Sequence, residues 1–198
     1  MTRENHPQAV ENSGPSREDA EEAIRGRFGD EAVISDAYGQ LTVDVPAALW
    51  TAAAEFARDS LGCAFFDWLT GVDEPPDAFA VVAHVYSQTA RLHLLLRTSV
   101  PRERPVLASV TAVYRGAEWH ERETYEMFGV EFAGHPRLEP LLLPDGFEGH
   151  PLRKDFVLAA RVAKAWPGAK EPGESAAGAP SRRRVVPPGV PQDWAKPL

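Results

Sequence analysis

The chain has 198 residues, of which 43% are hydrophobic and 25% are charged, which is ordinary for one good-sized globular domain. Its formal net charge of −8 argues against a protein whose whole surface binds nucleic acid. A single cysteine, Cys63, excludes an internal disulfide and cannot alone hold a zinc ion or an iron–sulfur cluster. Because no apolar run approaches the roughly 20 residues of a membrane span, we expect a soluble protein.

The first third of the chain alternates helix and hairpin signals. Residues 1–15 are polar and aperiodic, and we expect a disordered lead-in there. Ser16 begins a helix with a capping-box pattern, and Gly29 is placed to end it. Alternating apolar residues then predict a hairpin over 32–37 and 41–45, and a helix follows from Pro46 to Gly62.

The middle of the chain reads as strands. Cys63–Leu69 is typical of a buried strand. Residues 79–86 and 91–98 predict a hairpin around Gln88-Thr89, and residues 106–114 predict a sixth strand. One apolar face of that hairpin is expected to lie in the core: Val81, Ala83, Val85, Leu92, Leu94 and Leu96. These elements predict a two-layer α+β domain over residues 16–132, built of mostly antiparallel hairpins with helices.

Two histidines, His84 and His93, would lie opposite one another on the more polar face of the second hairpin. Two cross-strand histidines can chelate a metal ion, but they supply only two ligands. The simpler interpretation, two partly exposed strand histidines, is preferred.

A charged helix is predicted over 117–128 and is closed by Gly129. Exposed ion pairs at i,i+4 spacing, Glu118 with Arg122 and Arg122 with Glu126, would make it a solvated helix. Against that interpretation, Trp119, Glu123 and Met127 share one face, so an aromatic ring and a carboxylate would point toward the same neighbour.

The sequence Gly-His-Pro occurs at 134–136 and again at 149–151. One hypothesis is a metal or acid–base site built from His135, His150 and a carboxylate such as Asp155. The alternative, preferred on residue chemistry, is that both imidazoles bond backbone carbonyls and fix the path of a loop.

The run Leu152-Arg153-Lys154-Asp155-Phe156 places charges between two apolar side chains. Arg153 is suited to a bidentate contact with a carboxylate of another surface. This pattern predicts an interface strip within a segment that we place at 133–164.

The run ERETYEMFGVEF, the following GHP and the run DGFEGHPLRKDF closely resemble the motif of the 30-kDa subunit of respiratory complex I. The motif covers about 40 residues. The family often has two arginines where this chain has Glu139-Pro140, so any ion pair formed there is in doubt. It also commonly has proline where this chain has Val157.

The resemblance implies a non-catalytic structural subunit of the peripheral arm of a proton-translocating NADH:quinone oxidoreductase, on the cytoplasmic side of the cell membrane. Such a chain holds no cofactor; the FMN, the Fe-S clusters and the quinone belong to partner subunits. Partners would be other complex I subunits, especially the 49-kDa-like subunit and its cluster-bearing neighbours. Nucleic acid is not expected, and the membrane is reached only through the complex. The equivalent subunit of a complex-I-like membrane-bound hydrogenase or alternative-donor dehydrogenase remains an alternative, and a stand-alone metal enzyme is a further one.

The resemblance assigns interface or motif roles, and no catalytic or metal-binding role, to one set of residues. They are Trp119, Glu121, Arg122, Glu123, Glu126, Phe128, Gly129, Gly134, His135, Pro136, Gly146, Gly149, His150, Pro151, Leu152, Arg153, Lys154, Asp155 and Phe156.

Residues 165–198 contain seven prolines and the basic run Arg182–Arg184. We expect an extended Pro/Gly-rich C-terminal arm that becomes ordered on an acidic partner, with Trp166 and Trp194 as anchors. One alternative is that the arginines bind nucleic acid or anionic lipid, for which three consecutive arginines without interleaved aromatic residues are weak evidence. An exposed flexible tail is the other.

Overall fold

The computed structural model describes residues 14–157, which form an α+β domain. The lead-in up to residue 13, the end of the interface segment and the arm at 165–198 lie outside the described residues. In chain order the elements are α1 (Arg17–Phe28), β1 (Val33–Ala37), β2 (Gln40–Asp44), α2 (Trp50–Asp59), β3 (Phe65–Glu74), β4 (Ala78–Ser87), β5 (Leu92–Pro101), β6 (Val106–Ala108), α3 (Ala117–Phe128) and β7 (Glu131–Ala133).

The main sheet has five strands in the order β1-β2-β5-β4-β3. Strands β3, β4 and β5 form an antiparallel meander, and the β1–β2 hairpin joins it through a parallel pairing of β2 with β5. The short strands β6 and β7 form a separate parallel pair.

One face of the main sheet carries the core. Its register aligns Leu41 with Leu94 and Leu94 with Val85, and all three side chains are buried. Helices α1 and α2 contribute buried residues such as Ile24 and Trp50 to the same cluster. The predicted two-layer α+β architecture is therefore confirmed, and the predicted apolar face of the β4–β5 hairpin is buried as expected.

Several local predictions are also confirmed. Ser16 forms the capping box, since its hydroxyl accepts the N–H of Asp19 at 3.2 Å and the Asp19 carboxylate accepts the N–H of Ser16 at 3.0 Å. The helix predicted after Pro46 begins as a 3₁₀ turn (Ala47–Leu49) before α2.

The prediction of a buried strand over Cys63–Leu69 is wrong in its bounds and its burial. Strand β3 spans Phe65–Glu74 at the edge of the sheet, and Phe65 and Val72 are exposed.

The prediction of a sixth strand over 106–114 is wrong. Only Val106–Ala108 is extended, and within it Leu107 is buried while Val106 is exposed. The chain then turns, because the carboxylate of Glu121 accepts the N–H of Val110 at 2.7 Å.

The prediction that His84 faces His93 is also wrong. A two-residue turn would pair them, but Ser87 pairs with Leu92, so four residues form the turn and His93 pairs with Tyr86. The two imidazoles still meet diagonally, with 3.1 Å between Nε2 of His84 and Nδ1 of His93. His84 is buried rather than partly exposed, and its Nδ1 lies 2.8 Å from the carboxylate of Asp67.

Candidate functional site

Helix α3 is charged in sequence but largely buried in the fold. Glu121 is 0% exposed, Arg122 7% and Glu126 6%. Since buried charged groups require partners, each of these side chains should be bonded, and each is. The interpretation of α3 as a solvated helix is therefore wrong, although its predicted bounds and its end at Gly129, which has φ +77°, are confirmed.

Glu121 fixes the turn that precedes the helix. Its carboxyl group accepts the N–H of Val110 at 2.7 Å and the hydroxyl of Ser109 at 2.6 Å. Burial raises the pKa of Glu121 to about 7, and the two hydrogen bonds only partly offset this. The side chain is thus a structural support inside the domain.

Arg122 and Glu126, one helical turn apart, hold the segment that follows β7. Arg122 donates from Nε to the carbonyl of Glu139 at 2.9 Å and from its terminal nitrogen to the carbonyl of Pro140 at 2.8 Å. The carboxylate of Glu126 accepts the N–H groups of Leu142 at 2.7 Å and Leu143 at 2.9 Å. Burial would raise the pKa of Glu126, but these N–H groups outweigh it and the pKa is lowered.

The two Gly-His-Pro histidines bond to backbone carbonyls of α3. His135 places Nε2 at 3.1 Å from the carbonyl of Glu118, while its Nδ1 accepts the N–H of Arg137. His150 places Nδ1 at 2.8 Å from the carbonyl of Glu126. The two carbonyls are eight residues apart, about 12 Å along the helix axis. The preferred interpretation, loop-fixing histidines, is confirmed, and a shared metal site is not formed.

Arg153 caps the C-terminal end of α3. Its Nε donates to the carbonyl of Phe128 at 2.6 Å, which satisfies one of the carbonyls that a helix end leaves without a partner. Its guanidinium carbon lies 5.0 Å from the centre of the buried Phe79 ring. Nε of Arg153 is therefore used within the domain, and the expectation that this guanidinium contacts a carboxylate of another surface stays a prediction.

Asp73 and Arg102 anchor the next residues of the strip, and neither was predicted from the sequence. Asp73, 3% exposed, pairs with Arg102 and accepts the N–H of Lys154 at 2.7 Å. Arg102 also donates to the carboxylate of Asp155 at 3.0 Å. A signal was present, because strand alternation places Asp73 on the same face as Leu69, where a carboxylate needs a partner.

The remaining motif residues shape the turns of the segment. Phe128 is buried against Phe79, with ring centres 6.3 Å apart, and Glu123 is half-buried. The Phe156 ring stacks on Phe147 at 6.0 Å. Three glycines of the motif have positive φ angles, which favour glycine: Gly134 (+84°), Gly146 (+78°) and Gly149 (+91°). Of the two Gly-His-Pro prolines, Pro136 is exposed and Pro151 is half-buried.

Apolar side chains of the same region face outward. Five of the ten large apolar side chains that are exposed in residues 14–157 come from α3 or the segment after it. They are Trp119, Leu142, Phe147, Leu152 and Val157. Trp119 and Met127 were predicted to point toward the same neighbour from one face of the helix. That prediction is wrong, because Trp119 is 60% exposed and Met127 is buried.

In the part of the chain that the structure describes, no three His, Cys, Asp or Glu side chains lie together as possible metal ligands. Cys63 is buried, and burial raises the pKa of its thiol to about 11, so this thiol is protonated at neutral pH. None of the described helices has the length and hydropathy needed to cross a membrane.

Residues 43–162 match the family described as the 30-kDa subunit of the respiratory-chain NADH dehydrogenase. Among curated proteins, the chain is 45% identical over 137 residues to the C subunit of the NADH-quinone oxidoreductase of Rhizobium rhizogenes, covering 67% of each chain. It is 43% identical over 129 residues to the corresponding protein of Sinorhizobium medicae, covering 63% of this chain and 64% of that relative, which is slightly under two thirds of its length.

Solved structures give the same fold. The trypsin-resistant fragment of Nqo5 superposes with a TM-score of 0.54 at 28% identity, covering 60% of this chain and 98% of the fragment. A chain of the membrane-bound sulfane sulfur reductase, an archaeal respiratory membrane complex, superposes with a TM-score of 0.62 at 23% identity, covering 77% of this chain and 96% of that one. The second likeness is evidence of shared fold alone.

Proposed function

The chain belongs to the family of the 30-kDa subunit of the respiratory-chain NADH dehydrogenase, and from this premise we propose that it is a non-catalytic structural subunit of an NADH:quinone oxidoreductase. In that role it holds the peripheral arm of the enzyme together on the cytoplasmic side of the cell membrane. FMN, Fe-S clusters and quinone are carried by other subunits, and the 49-kDa-like subunit is the partner proposed for helix α3 and the segment after it.

The observation that carries this proposal is the inverted arrangement around α3. Charged side chains that would normally face water, such as Glu121 and Glu126, are buried and hold backbone. Apolar side chains that would normally be buried, such as Trp119 and Leu152, are exposed. Exposed aromatic and aliphatic side chains on a rigid support are typical of a protein–protein interface.

The folded domain supports a scaffold role over catalysis. The two histidines of the motif bond backbone carbonyls at different heights of α3, and the buried Glu121 supports a turn. These side chains are used for structure, so the stand-alone metal enzyme has no support in the described residues.

The proposal is tested by purifying the full-length chain, tagged at its own chromosomal locus, from membranes in mild detergent. We expect flavin, iron, acid-labile sulfide and NADH:quinone reductase activity to co-purify with it, and an untagged strain is the control. A chain that purifies without these would contradict the proposal. Nickel and hydrogenase activity in place of NADH oxidation would favour the complex-I-like alternative.

A further inference from the structure

A cavity of about 280 Å³ lies between helix α3 and the loop that follows it. Its lining comes from the helix and from both arms of the loop: Tyr125, Glu126, Pro140, Leu143, Pro144, Asp145, Gly146, Phe147, Gly149 and His150. The volume falls below the roughly 300–1,000 Å³ of sites that enclose a whole cofactor or drug-sized ligand. One large side chain is the better match in size.

The cavity is held in shape by bonds to the helix. The loop is fixed at its start by Arg122 and Glu126, and at its far end His150 bonds the carbonyl of Glu126 at 2.8 Å. A cavity that is already formed does not require ordering when a ligand enters, which favours its use as an anchor site. Phe147, which lines the cavity, is 42% exposed, and Leu142, next in sequence to the lining residue Leu143, is 59% exposed, so apolar side chains are available to a partner here.

The loop that lines the cavity carries three exposed carboxylates. Asp145 lines the cavity, and Glu139 and Glu148 are next in sequence to lining residues. Within residues 14–157 no salt bridge involves any of the three. The lining contains no lysine or arginine. Three such carboxylates repel phosphate-bearing cofactors and attract a basic protein surface.

We propose that this cavity receives an apolar side chain of a neighbouring subunit, and that lysine or arginine residues beside it pair with Glu139, Asp145 and Glu148. The inference rests on the proposed function and adds the chemistry of the partner to it. The apolar side chain supplies the buried contact, and the charge pairs set orientation and the rate of association.

The first test is charge reversal in the full-length chain within its complex. The triple variant Glu139→Lys, Asp145→Lys and Glu148→Lys should lower the amount of chain retained in the complex at least about tenfold, because like charges would then face each other. The matched control reverses three exposed carboxylates near α1, Glu22→Lys, Asp30→Lys and Glu31→Lys, and should change retention less than about twofold.

The second test is photo-crosslinking from position 142 in the assembled complex. We expect a crosslinked peptide from another subunit that carries lysine or arginine close to an apolar residue. A crosslink to a second copy of this chain, to lipid alone or to a peptide without basic residues would overturn the inference, as would equal retention of the two triple variants. If the wild-type chain itself is not retained, the proposed function fails together with this inference; if only the variants behave alike, the inference alone fails.

Discussion

The carboxylate of Glu126 accepts the backbone N–H of Leu142 at 2.7 Å, so a helix side chain fixes a loop sixteen residues further along the chain. The same loop presents the Leu142 side chain to solvent. Other buried polar side chains of α3 also hold backbone, as Arg122 does at the carbonyls of Glu139 and Pro140. The domain itself thereby gives a fixed shape to the surface that we propose as the interface.

Glu126→Gln should destabilise the domain by about 2 kcal/mol. A carboxylate offers both oxygens to Leu142 and Leu143, whereas an amide offers one oxygen and one N–H₂ group, which faces a donor. The free energy of unfolding in urea measures the loss. Glu123→Gln, on the same helix, is the control and should change it by less than about 0.5 kcal/mol. Equal effects of the two variants would show that the loop is held by other contacts.

Gly129→Ala should cost more than Gly146→Ala, although both glycines have nearly the same φ, +77° and +78°. A methyl group at position 146 meets nothing within 4 Å, so that variant reports backbone strain alone, about 1 kcal/mol. At position 129 the methyl group would lie 2.6 Å from Nε2 of His150 and displace the Arg153 guanidinium. The loss of unfolding free energy should therefore be roughly twice that of Gly146→Ala, or more. Chemical denaturation measures the free energy of unfolding of both variants. Equal losses would show that the contact of Arg153 with the end of α3 contributes little to stability.

Glu121 should make the stability of the domain fall as pH rises. Burial raises its pKa from 4.5 to about 7, so folding favours the protonated form. This contribution is complete below about pH 4.5 and is lost as pH rises through 7, a change of about 3 kcal/mol.

Glu121→Gln keeps a neutral side chain of the same shape at every pH and should remove this component. The difference in unfolding free energy between wild type and variant is measured at intervals from pH 4.5 to 8, and the variant should gain relative to wild type as pH rises. Parallel curves for the two proteins would contradict a titrating Glu121.

Asp73→Asn should release the interface strip from the sheet. The variant lacks the negative charge that pairs with Arg102, and its hydrogen bond to the Lys154 N–H is weaker. The free energy of unfolding should fall by about 3 kcal/mol. Hydrogen exchange at Lys154 should become faster, since the carboxylate acceptor of this amide is replaced by the weaker oxygen of a neutral side chain. Asp77→Asn, at an exposed position in the nearby turn, is the control. Unchanged exchange at Lys154 would show that Asp73 does not hold the strip.

Local signals predicted much of the fold. The capping box at Ser16 and the end of α3 at Gly129 could be predicted from the sequence, because both depend on residues only a few positions apart. The core face of the β4–β5 hairpin was predicted correctly even though its turn is two residues longer than expected. A shift of two residues preserves which side chains face the core but changes the partner of His84.

Contacts between residues far apart in the chain could not be predicted from the sequence. The parallel pairing of β2 with β5 joins residues more than fifty positions apart, and no local pattern encodes it. The charged helix resembled a solvated one because the groups that satisfy Arg122 and Glu126 are backbone atoms of a later loop. The role of Arg153 as a helix cap was missed for the same reason, since a side chain suited to an interface also suits a helix end.

The central claim, that α3 and the segment after it form the surface that binds the rest of the enzyme, is tested most directly by comparing two exposed aromatic residues. Trp119 lies on α3 and Tyr38 in the β1–β2 turn, and both side chains are exposed, so neither substitution should destabilise the isolated domain. The measurement is the amount of Trp119→Ser and Tyr38→Ser chain retained in purified NADH:quinone oxidoreductase. We expect a marked loss of the Trp119→Ser chain from the complex and none for Tyr38→Ser; equal retention of both chains would contradict the claim.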